Sequence, residues 1–536
     1  MKTITSFFII LILFANCRER TGSEIADIKV IQNTVPVFVN RSQNILFEIS
    51  INIKKPETAI LQKVRIRFSN NSSFEVISKI SAVNITDGKT DFGTANQVSK
   101  KTEISGELPL KQGENIIQFN FLANEKASLL STFSLKEIEL FFENTKPVKI
   151  AADTNFKYRT ALVLRSQGQD NCDTYRIPGL ITTNNGTLIA VYDNRYNNSK
   201  DLQEDVDIGM SRSTDGGQTW EPMKVIMDMG EWGGLSQRLN GIGDPCILYD
   251  NKTGTIWVAA LWMSGVTEND MLWWASKPGI SPEETGQFML AKSTDDGLTW
   301  SEPVNITKQI KNPEWQLLLQ GPGMGITMKD GTLVFPAQFK ADIGEKALDG
   351  GQFTSHSTIV YSTDQGKTWQ IGTGAKPNTT EAQVVELADG SLMLNMRDDL
   401  NRTDKSETNG RAVAVTTDLG KTWTIHPSSN SALQEPNCMA SLIGSEIKIN
   451  GKIQQVLFFS NPDSKTERNN MTIKASIDGG HSWPVEYQVL LNTETGYGYS
   501  CMTMVDTETI GIVYEGSKEL YFQKLPVSDI LKDYVK

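Results

Sequence analysis

Apolar and polar residues alternate along most of this chain in short runs, which is the pattern of strands that bury one face. Examples are Ile45–Ile53, Asn115–Phe121 and Arg411–Val415. Turn-forming residues separate such runs, as in Asn84–Gly88. The pattern predicts an all-β protein.

A motif of eight residues, with a central Asp, a Gly and a terminal Trp, occurs five times, each copy after a strand-like run. The Asp accepts hydrogen bonds from nearby backbone N–H groups, the Gly supplies a positive φ, and the Trp covers the turn. Each copy is therefore expected to join two strands. The copies are Ser213–Trp220, Ser293–Trp300, Ser362–Trp369, Thr416–Trp423 and Ser476–Trp483.

The spacing of these motifs predicts repeated sheets. They begin at residues 213, 293, 362, 416 and 476, so successive copies lie 54 to 80 residues apart. A four-stranded sheet with its turns needs roughly 40 to 50 residues, and repeated sheets of this kind protect their edges by a radial arrangement. We expect a six-bladed β-propeller over residues 155–530, with one blade that lacks the motif.

The segment before the propeller carries strand patterns without the motif. Residues 24–150 predict a smaller β-sandwich domain that precedes the propeller. No aromatic cluster in it marks a sugar-binding platform. Carbohydrate binding and a purely structural role both stay open for this domain.

The N-terminus resembles an export signal. Lys2 precedes an apolar run, Phe7–Phe14, that is too short to span a membrane as a helix. Residues 1–17 are expected to direct export, so the protein would be periplasmic, outer-membrane-associated or secreted, without a transmembrane segment. Cys17 is a possible lipid anchor, and cleavage with release is the alternative.

Composition narrows the classes of partner and cofactor. With 52 Lys and Arg against 63 Asp and Glu, the net charge is -11, which argues against nucleic-acid binding. The 3 histidines show no metal-ligand spacing, and no metal or organic cofactor is expected. Four further cysteines are expected to be structural, whether bonded or free: Cys172, Cys246, Cys438 and Cys501.

One segment connects the repeats to a known family. The sequence Tyr175-Arg176-Ile177-Pro178, followed by the five motifs, resembles the exo-sialidases (neuraminidases) of bacteria, whose repeats are called Asp-boxes. The resemblance covers residues 155 to 520 and fits the Bacteroidetes type with an N-terminal β-sandwich. It implies a retaining enzyme that removes terminal sialic acid from glycoproteins, glycolipids and oligosaccharides.

The resemblance also implies how the substrate is held. Three arginines would grip its carboxylate, because guanidinium groups match carboxylates in charge and shape. These are Arg176, Arg397 and Arg468, with Arg411 as the alternative for the third. Glu515 would orient Arg176.

Two further residues would shape the pocket around the sugar ring. Arg195 would lie near the ring substituents, and Asp244 near the amide-bearing carbon. Sialidases often carry an Arg three residues before that Asp, where this chain has Gly241. Trp262 would either line the acetamido pocket or belong to the core.

The catalytic groups follow from the same resemblance. Asp201, in a polar loop that also holds Glu204 and Asp205, would be the general acid and base. Tyr499 would be the nucleophile, with Tyr497 as its rival. Glu381 would take the phenolic proton, and Glu386 is the alternative, although strand alternation places the two glutamates on opposite faces. Two other functions remain, a trans-sialidase and a non-catalytic sialic-acid-binding propeller.

Overall fold

A computed structural model describes residues 25–54, 59–86, 88–267 and 269–532. These residues are mostly strands, so the all-β prediction is confirmed. They form two compact units, one mainly from Val37–Ala127 and Ser131–Arg159, the other from Thr160 onward. The expected export segment and Cys17 lie outside the described residues. Within the described ranges, no helix is long and apolar enough to cross a membrane.

The first unit contains two antiparallel sheets. One is five-stranded with the order β1-β3-β8-β5-β6, and the other is four-stranded with the order β11-β10-β4-β7. The strands of this part of the chain are β1 (Ile25–Gln32), β2 (Val37–Phe38), β3 (Ile45–Ile53), β4 (Ile60–Phe68), β5 (Ile77–Asn84), β6 (Thr90–Ala95), β7 (Lys101–Pro109), β8 (Gly113–Ala123), β9 (Thr132–Phe133), β10 (Leu135–Phe142) and β11 (Val148–Ala151).

Aromatic side chains build the core of this unit. Phe47 of β3 stacks on Phe119 of β8 with ring centroids 4.4 Å apart. Phe133 contacts Phe121 of the first sheet at 6.1 Å and Phe68 of the second at 6.0 Å. These rings join the two sheets, as in a β-sandwich.

The second unit contains six sheets among its described residues. Its strands are β12 (Tyr158–Arg165), β13 (Thr174–Thr182), β14 (Leu188–Arg195), β15 (Val206–Ser213), β16 (Lys224–Met227), β17 (Ile242–Asp250), β18 (Thr255–Trp262), β19 (Gln287–Ser293), β20 (Val304–Asn305), β21 (Leu317–Gln320), β22 (Gly323–Met324), β23 (Ile326–Thr327), β24 (Leu333–Ala341), β25 (Thr354–Ser362), β26 (Gln370–Ile371), β27 (Thr379–Glu386), β28 (Leu392–Asp398), β29 (Ala412–Thr416), β30 (Thr424–Ile425), β31 (Ser441–Ile449), β32 (Lys452–Pro462), β33 (Met471–Ser476), β34 (Gln488–Asn492), β35 (Ser500–Asp506), β36 (Thr509–Glu515) and β37 (Leu520–Pro526). Three single-turn helices accompany them, α1 (Leu272–Ala275), α2 (Thr307–Ile310) and α3 (Val527–Ile530).

The six sheets form a ring. The first five follow one another along the chain, except that β22 pairs in the second sheet although it lies between β21 and β23 of the third. The sixth combines β12 with β35, β36 and β37. Each sheet contacts the next, and the sixth contacts the first, through β35 and β13. Pairing of β12 with β37 thus joins the start of the unit to its end, which closes the ring as in a propeller.

Each Asp-box motif joins the last two strands along the main path of one of the first five sheets, for example β15 and β16 in the first. In the first copy, Asp215 accepts hydrogen bonds from the Ser213 hydroxyl at 2.9 Å and from the Thr219 N–H at 2.9 Å. Gly217 has a φ of 84°, and a Cβ there would lie 2.2 Å from the Phe522 ring of the adjacent sheet. Trp220 packs on the same ring at 5.2 Å. The motif therefore closes a hairpin and also seats it against the neighbouring sheet.

The motif aspartates give the fold an acid-sensitive element. Hydrogen bonds, chiefly from the threonine four residues on, hold the pKa of Asp295, Asp364 and Asp418 at about 2. Because these values lie below the unfolded-state pKa near 3.9, the carboxylates stabilise the fold above about pH 4. That contribution disappears as the pH falls through about 2.

Substitution of all three aspartates with Asn is expected to lower stability at neutral pH and to reduce its loss between pH 4 and 2. Urea midpoints measured from pH 2 to 7 test this. Glu302→Gln, which removes an exposed carboxylate beyond the second motif, should leave the wild-type pH profile intact. An unchanged acid slope in the triple variant would show that other carboxylates control acid unfolding.

Candidate active site

The expected site residues meet at one edge of the ring of sheets. In β14 and β15, Arg195 pairs with Val206 while Leu188 pairs with Ser213, so Arg195 and the Asp-box lie at opposite edges. Antiparallel pairing brings the start of each first strand to the end of the second. The residues placed at these ends are Arg176 on β13, Arg195 on β14, Asp244 on β17, Glu381 on β27, Arg397 on β28 and Glu515 on β36, with Tyr499 directly before β35.

The inner strands are irregular where they reach this edge. The pairing register shifts in β13 after Arg176 and in β17 after Gly243. Ile177 and Asp244, each followed by Pro, have φ values of 56° and 57°. Positive φ is unusual for such residues and is concentrated at functional sites. Such irregularities bend a strand locally and change the direction of the neighbouring side chains.

Arg176 is fixed by a buried glutamate. Its Nε donates to Glu515 Oε1 at 3.1 Å, and the Ile177 N–H donates to the same oxygen at 2.8 Å. The other carboxylate oxygen of Glu515 accepts from the Tyr499 N–H at 2.9 Å. One carboxylate thus sets the positions of both Arg176 and the Tyr499 backbone.

Tyr499 is buried and bonded to a carboxylate. Its hydroxyl donates to Glu381, and Arg397 Nη1 lies 2.7 Å from Glu381 and 3.1 Å from the Tyr499 oxygen. Burial and the Glu381 charge raise the pKa of Tyr499 well above its usual value, against the opposing charges of Arg397 and its neighbours. At neutral pH the phenol is therefore protonated and has a base in contact with it.

Three guanidinium groups surround this tyrosine. Arg397 is held by Asn437 Oδ1 at 2.7 Å, and Arg468 donates to the Tyr497 carbonyl at 2.9 Å. The Arg176 and Arg468 guanidinium carbons lie 5.1 and 5.6 Å from the Tyr499 ring centre. Three positively charged groups near Tyr499 make this site suited to a carboxylate ligand.

Arg411, the alternative for the third arginine, lies elsewhere. It is 1% exposed and donates to Glu435 and to the Cys438 carbonyl, both at 2.7 Å, as well as to Asn395. Its donors are engaged within the protein. Arg468 is therefore the arginine that the structure brings to Tyr499.

Arg411→Ala is expected to destabilise the fold by about 3–5 kcal/mol, because it leaves the buried Glu435 carboxylate without its charge partner. Denaturant unfolding measures the loss. Arg411→Met with Glu435→Gln, which removes both charges, should recover much of it. A single variant with wild-type stability would contradict the structural role assigned to Arg411.

Asp201 projects from the connection between β14 and β15. Its side chain is 66% exposed, and its carboxylate accepts from Arg195 at 2.7 Å and from Arg176 at 3.4 Å. Arg195 is itself held by Asp193 at 2.8 Å. Desolvation opposes ionisation of Asp201, but the two arginine charges outweigh it and hold the pKa below its usual value.

Two other carboxylates near Asp201, Glu204 in the same loop and Asp207 on β15, have different partners. Glu204 accepts from Asn198 at 2.8 Å and Arg238 at 2.8 Å. Asp207 accepts from the Tyr196 hydroxyl at 2.9 Å, and burial, with nearby Asp228, raises its pKa to about 7. Of these three carboxylates, Asp201 is therefore the one that contacts Arg176 and Arg195.

Asp244 lies near Asp193 and Asp201 in the same site. Its N–H donates to Asp193 at 2.8 Å. Burial and the charges of Asp193 and Asp201 raise the pKa of Asp244 well above its usual value. A Cβ at Gly241 would lie 2.2 Å from the Glu204 carbonyl oxygen, so the loop leaves no room for the arginine found in many sialidases.

Trp262 and the two alternatives, Glu386 and Tyr497, have other roles. Trp262 is 3% exposed in an apolar core and packs on Trp232 at 5.1 Å. Glu386 accepts from the Lys329 N–H at 2.8 Å, away from Tyr499. The Tyr497 ring lies 4.6 Å from the Arg176 guanidinium carbon, so it covers an arginine.

Two supporting residues were missing from the predicted site. Asp193 stands two residues before Arg195 on the same strand face, and that spacing is a signal visible in the sequence. Asn437 lies in a loop without a local pattern and was not predictable.

The cysteines Cys172, Cys246, Cys438 and Cys501 are buried free thiols.

Comparison with known proteins identifies close relatives. Residues 177–510 match the family described as BNR repeat-like domain. The chain is 42% identical over 534 residues to a sialidase of Bacteroides fragilis (strain YCH46), covering 94% of this chain and 95% of that protein. The solved structure of the Hadza microbial sialidase Hz136 is similar at 40% identity with a TM-score of 0.84, covering 94% of this chain and 99% of that one. Trypanosoma rangeli sialidase, at 21% identity and a TM-score of 0.53, shares the fold.

Proposed function

This chain belongs to the bacterial sialidase family of glycoside hydrolases, and from that premise we propose that it is a retaining exo-α-sialidase that forms a tyrosyl-enzyme intermediate. The observation that carries the mechanism is the Tyr499–Glu381 hydrogen bond within three arginines. Its substrates would be sialylated glycans with a terminal α-linked sialic acid.

The arginines bind the substrate's carboxylate. Arg176, Arg397 and Arg468 donate charge-assisted hydrogen bonds to it, each contributing on the order of 1.5–3 kcal/mol. Glu515 and Asn437 keep two of these guanidinium groups in place. The anomeric carbon, which carries that carboxylate, is thereby held beside the Tyr499 oxygen.

A tyrosine suits this substrate as nucleophile. A carboxylate approaching to about 4 Å of the substrate's own carboxylate would meet roughly 4 kcal/mol of repulsion at an effective dielectric near 20. The neutral phenol avoids that repulsion. Tyrosine nucleophiles are a recognised exception among glycosidases.

In the first step, the Tyr499 oxygen attacks the anomeric carbon as Glu381 takes its proton. The glycosidic C–O bond breaks, and Asp201 gives a proton to the departing oxygen. In the second step, Asp201 takes a proton from water as the water oxygen attacks the anomeric carbon. The bond to Tyr499 breaks, and Glu381 returns the proton to the phenol oxygen. Two inversions give net retention.

Asp201 must be protonated when the glycosidic bond breaks. In the free protein the arginine charges hold its pKa low. The substrate's carboxylate would offset the charge of Arg176 and exclude water, and both effects raise the pKa of Asp201. Substrate binding thus prepares the acid.

Asp201→Asn is expected to lower kcat for sialyllactose by about 10²- to 10⁴-fold, since a sugar leaves poorly without a proton donor. An aryl sialoside, whose leaving group needs little protonation, should lose far less in its first step. Burst kinetics with both substrates separate the steps. Equal losses in the first step for the two substrates would exclude Asp201 as the acid.

The function itself is tested by release of a fluorogenic alcohol from an α-sialoside, with a chelator present and Arg176→Ala in parallel. We expect release that the variant lacks. Folded protein that binds sialic acid without release would instead be a sialic-acid-binding propeller. Transfer to added lactose in preference to water would identify a trans-sialidase.

A further inference from the structure

We propose that Trp274, with the open depression beside it, forms a subsite for the neutral sugars of the leaving glycan. The inference rests on the proposed function, because it extends the recognised substrate beyond its sialic acid. It depends on where Trp274 lies, how its ring is presented and what lines the depression.

Trp274 belongs to the connection between β18 and β19. Pairing of Trp262 with Gln287 places this connection at the edge of the ring where the expected site residues meet, which we call the catalytic edge. The Leu272 N–H donates to the Leu202 carbonyl at 2.9 Å. Trp274 follows Leu272 by two residues in the same helical turn, a rise of roughly 3 Å along the helix axis. The tryptophan therefore belongs to a short segment whose backbone is bonded to the loop that carries Asp201.

The indole ring is exposed but held in place. Trp274 is 52% exposed, whereas Lys340, with its Nζ 4.7 Å from the ring centre, is only 1% exposed. The same Nζ lies 3.2 Å from the Trp273 carbonyl, and Trp273 Nε1 donates to Asp349 at 2.8 Å. An aromatic face fixed toward solvent binds the C–H face of a sugar at little cost in side-chain entropy.

The depression adjoins this ring. It has a volume of about 470 Å³ and is lined by residues 342, 344–346 and 350–352. A Cβ on Gly351, one of the lining residues, would lie 3.1 Å from the Trp274 ring. The connection that forms it joins β24 to β25 where Ala341 pairs with Thr354, again at the catalytic edge. Volumes of roughly 300–1,000 Å³ are typical of small-ligand sites.

The lining favours neutral sugars over a second sialic acid. Asp342 and Glu345 outnumber Lys346, and Gln352 adds an amide. Carboxylate and amide oxygens accept hydrogen bonds from sugar hydroxyls, and the excess negative charge disfavours an anionic ligand. An aromatic face beside such acceptors matches uncharged sugars.

The test compares sialyllactose, which has two neutral sugars, with an aryl sialoside, which has none. Trp274→Ala should lower kcat/KM for sialyllactose about 3- to 10-fold, mainly through KM, and leave the aryl sialoside unchanged. Trp274→Phe should restore most of the loss. Leu298→Ala, which truncates an exposed side chain of the second Asp-box, should alter neither substrate.

Other outcomes are decisive. An equal loss for both substrates would make Trp274 a support of the Asp201 loop only, and an unchanged kcat/KM for sialyllactose would exclude sugar binding there. Either result would overturn the subsite while leaving the sialidase assignment intact. Wild-type protein that cleaves neither substrate would instead refute the proposed function, and the subsite with it.

Discussion

Replacement of Tyr499 by phenylalanine should lower kcat at least about a thousandfold while the protein stays folded. The variant keeps the buried ring between Arg176 and Arg468 and deletes only the oxygen that contacts Glu381. Without that oxygen no covalent intermediate forms at this position, and nucleophilic catalysis is lost. Steady-state kinetics with an aryl sialoside measure the loss of kcat, and thermal unfolding measures whether the variant stays folded.

Tyr497→Phe is the matched control. The Tyr497 ring covers Arg176 and its carbonyl binds Arg468, and both features survive loss of the hydroxyl. Activity within a few-fold of wild type is expected. If Tyr499→Phe were active and Tyr497→Phe inactive, the nucleophile would be Tyr497.

Arg397→Ala should reduce kcat/KM by about 10²- to 10⁴-fold. The substitution removes the positive charge and the hydrogen bonding that Arg397 offers the substrate's carboxylate, at about 1.5–3 kcal/mol for each charge-assisted hydrogen bond, and tenfold in affinity corresponds to about 1.4 kcal/mol. It also leaves Glu381 without its 2.7 Å partner. Steady-state kinetics measure the loss of kcat/KM, and binding of a sialic-acid glycal measures the loss of carboxylate binding.

Arg212→Ala serves as the control for loss of an arginine. Arg212 pairs with Glu221 and Asp296 at the Asp-box edge. Its removal is expected to cost some stability without changing kcat/KM per folded enzyme. If Arg397→Ala bound the glycal as tightly as wild type does, Arg397 would have no part in gripping the carboxylate.

Local chemistry explains why much of the fold was predictable. The Asp-box motifs contain their own turn, since the Asp, Gly and Thr that close it lie within four residues of one another. Their recurrence indicated repeated sheets, and the propeller fold is confirmed by the similarity to a solved sialidase. The assignment to a family of bacterial sialidases is confirmed as well.

The parts that could not be predicted depend on distant contacts. The resemblance favours Arg468 over Arg411 as the third arginine, and distant contacts separate the two, since Arg411 pairs with the buried Glu435 while Arg468 lies beside the Tyr499 ring. Asn437 reaches Arg397 from the loop before β31, with no local pattern to mark it. Strand alternation allows only one of Glu381 and Glu386 to face the centre, the resemblance favours Glu381, and the Glu381 contact with Tyr499 agrees with that choice. Contacts between sheets, unlike turns, leave no short-range signal.

The central claim is that Tyr499 forms a covalent bond to the substrate. In a sialic acid with fluorine at the carbon next to the anomeric centre, the fluorine slows both steps, and a good leaving group keeps the first step fast enough for the intermediate to accumulate. Mass spectrometry of the digested protein should then show the sugar's mass on the peptide that contains Tyr499, and no adduct in Tyr499→Phe. An adduct on another residue, or turnover without one that releases sialic acid of inverted configuration, would contradict the account.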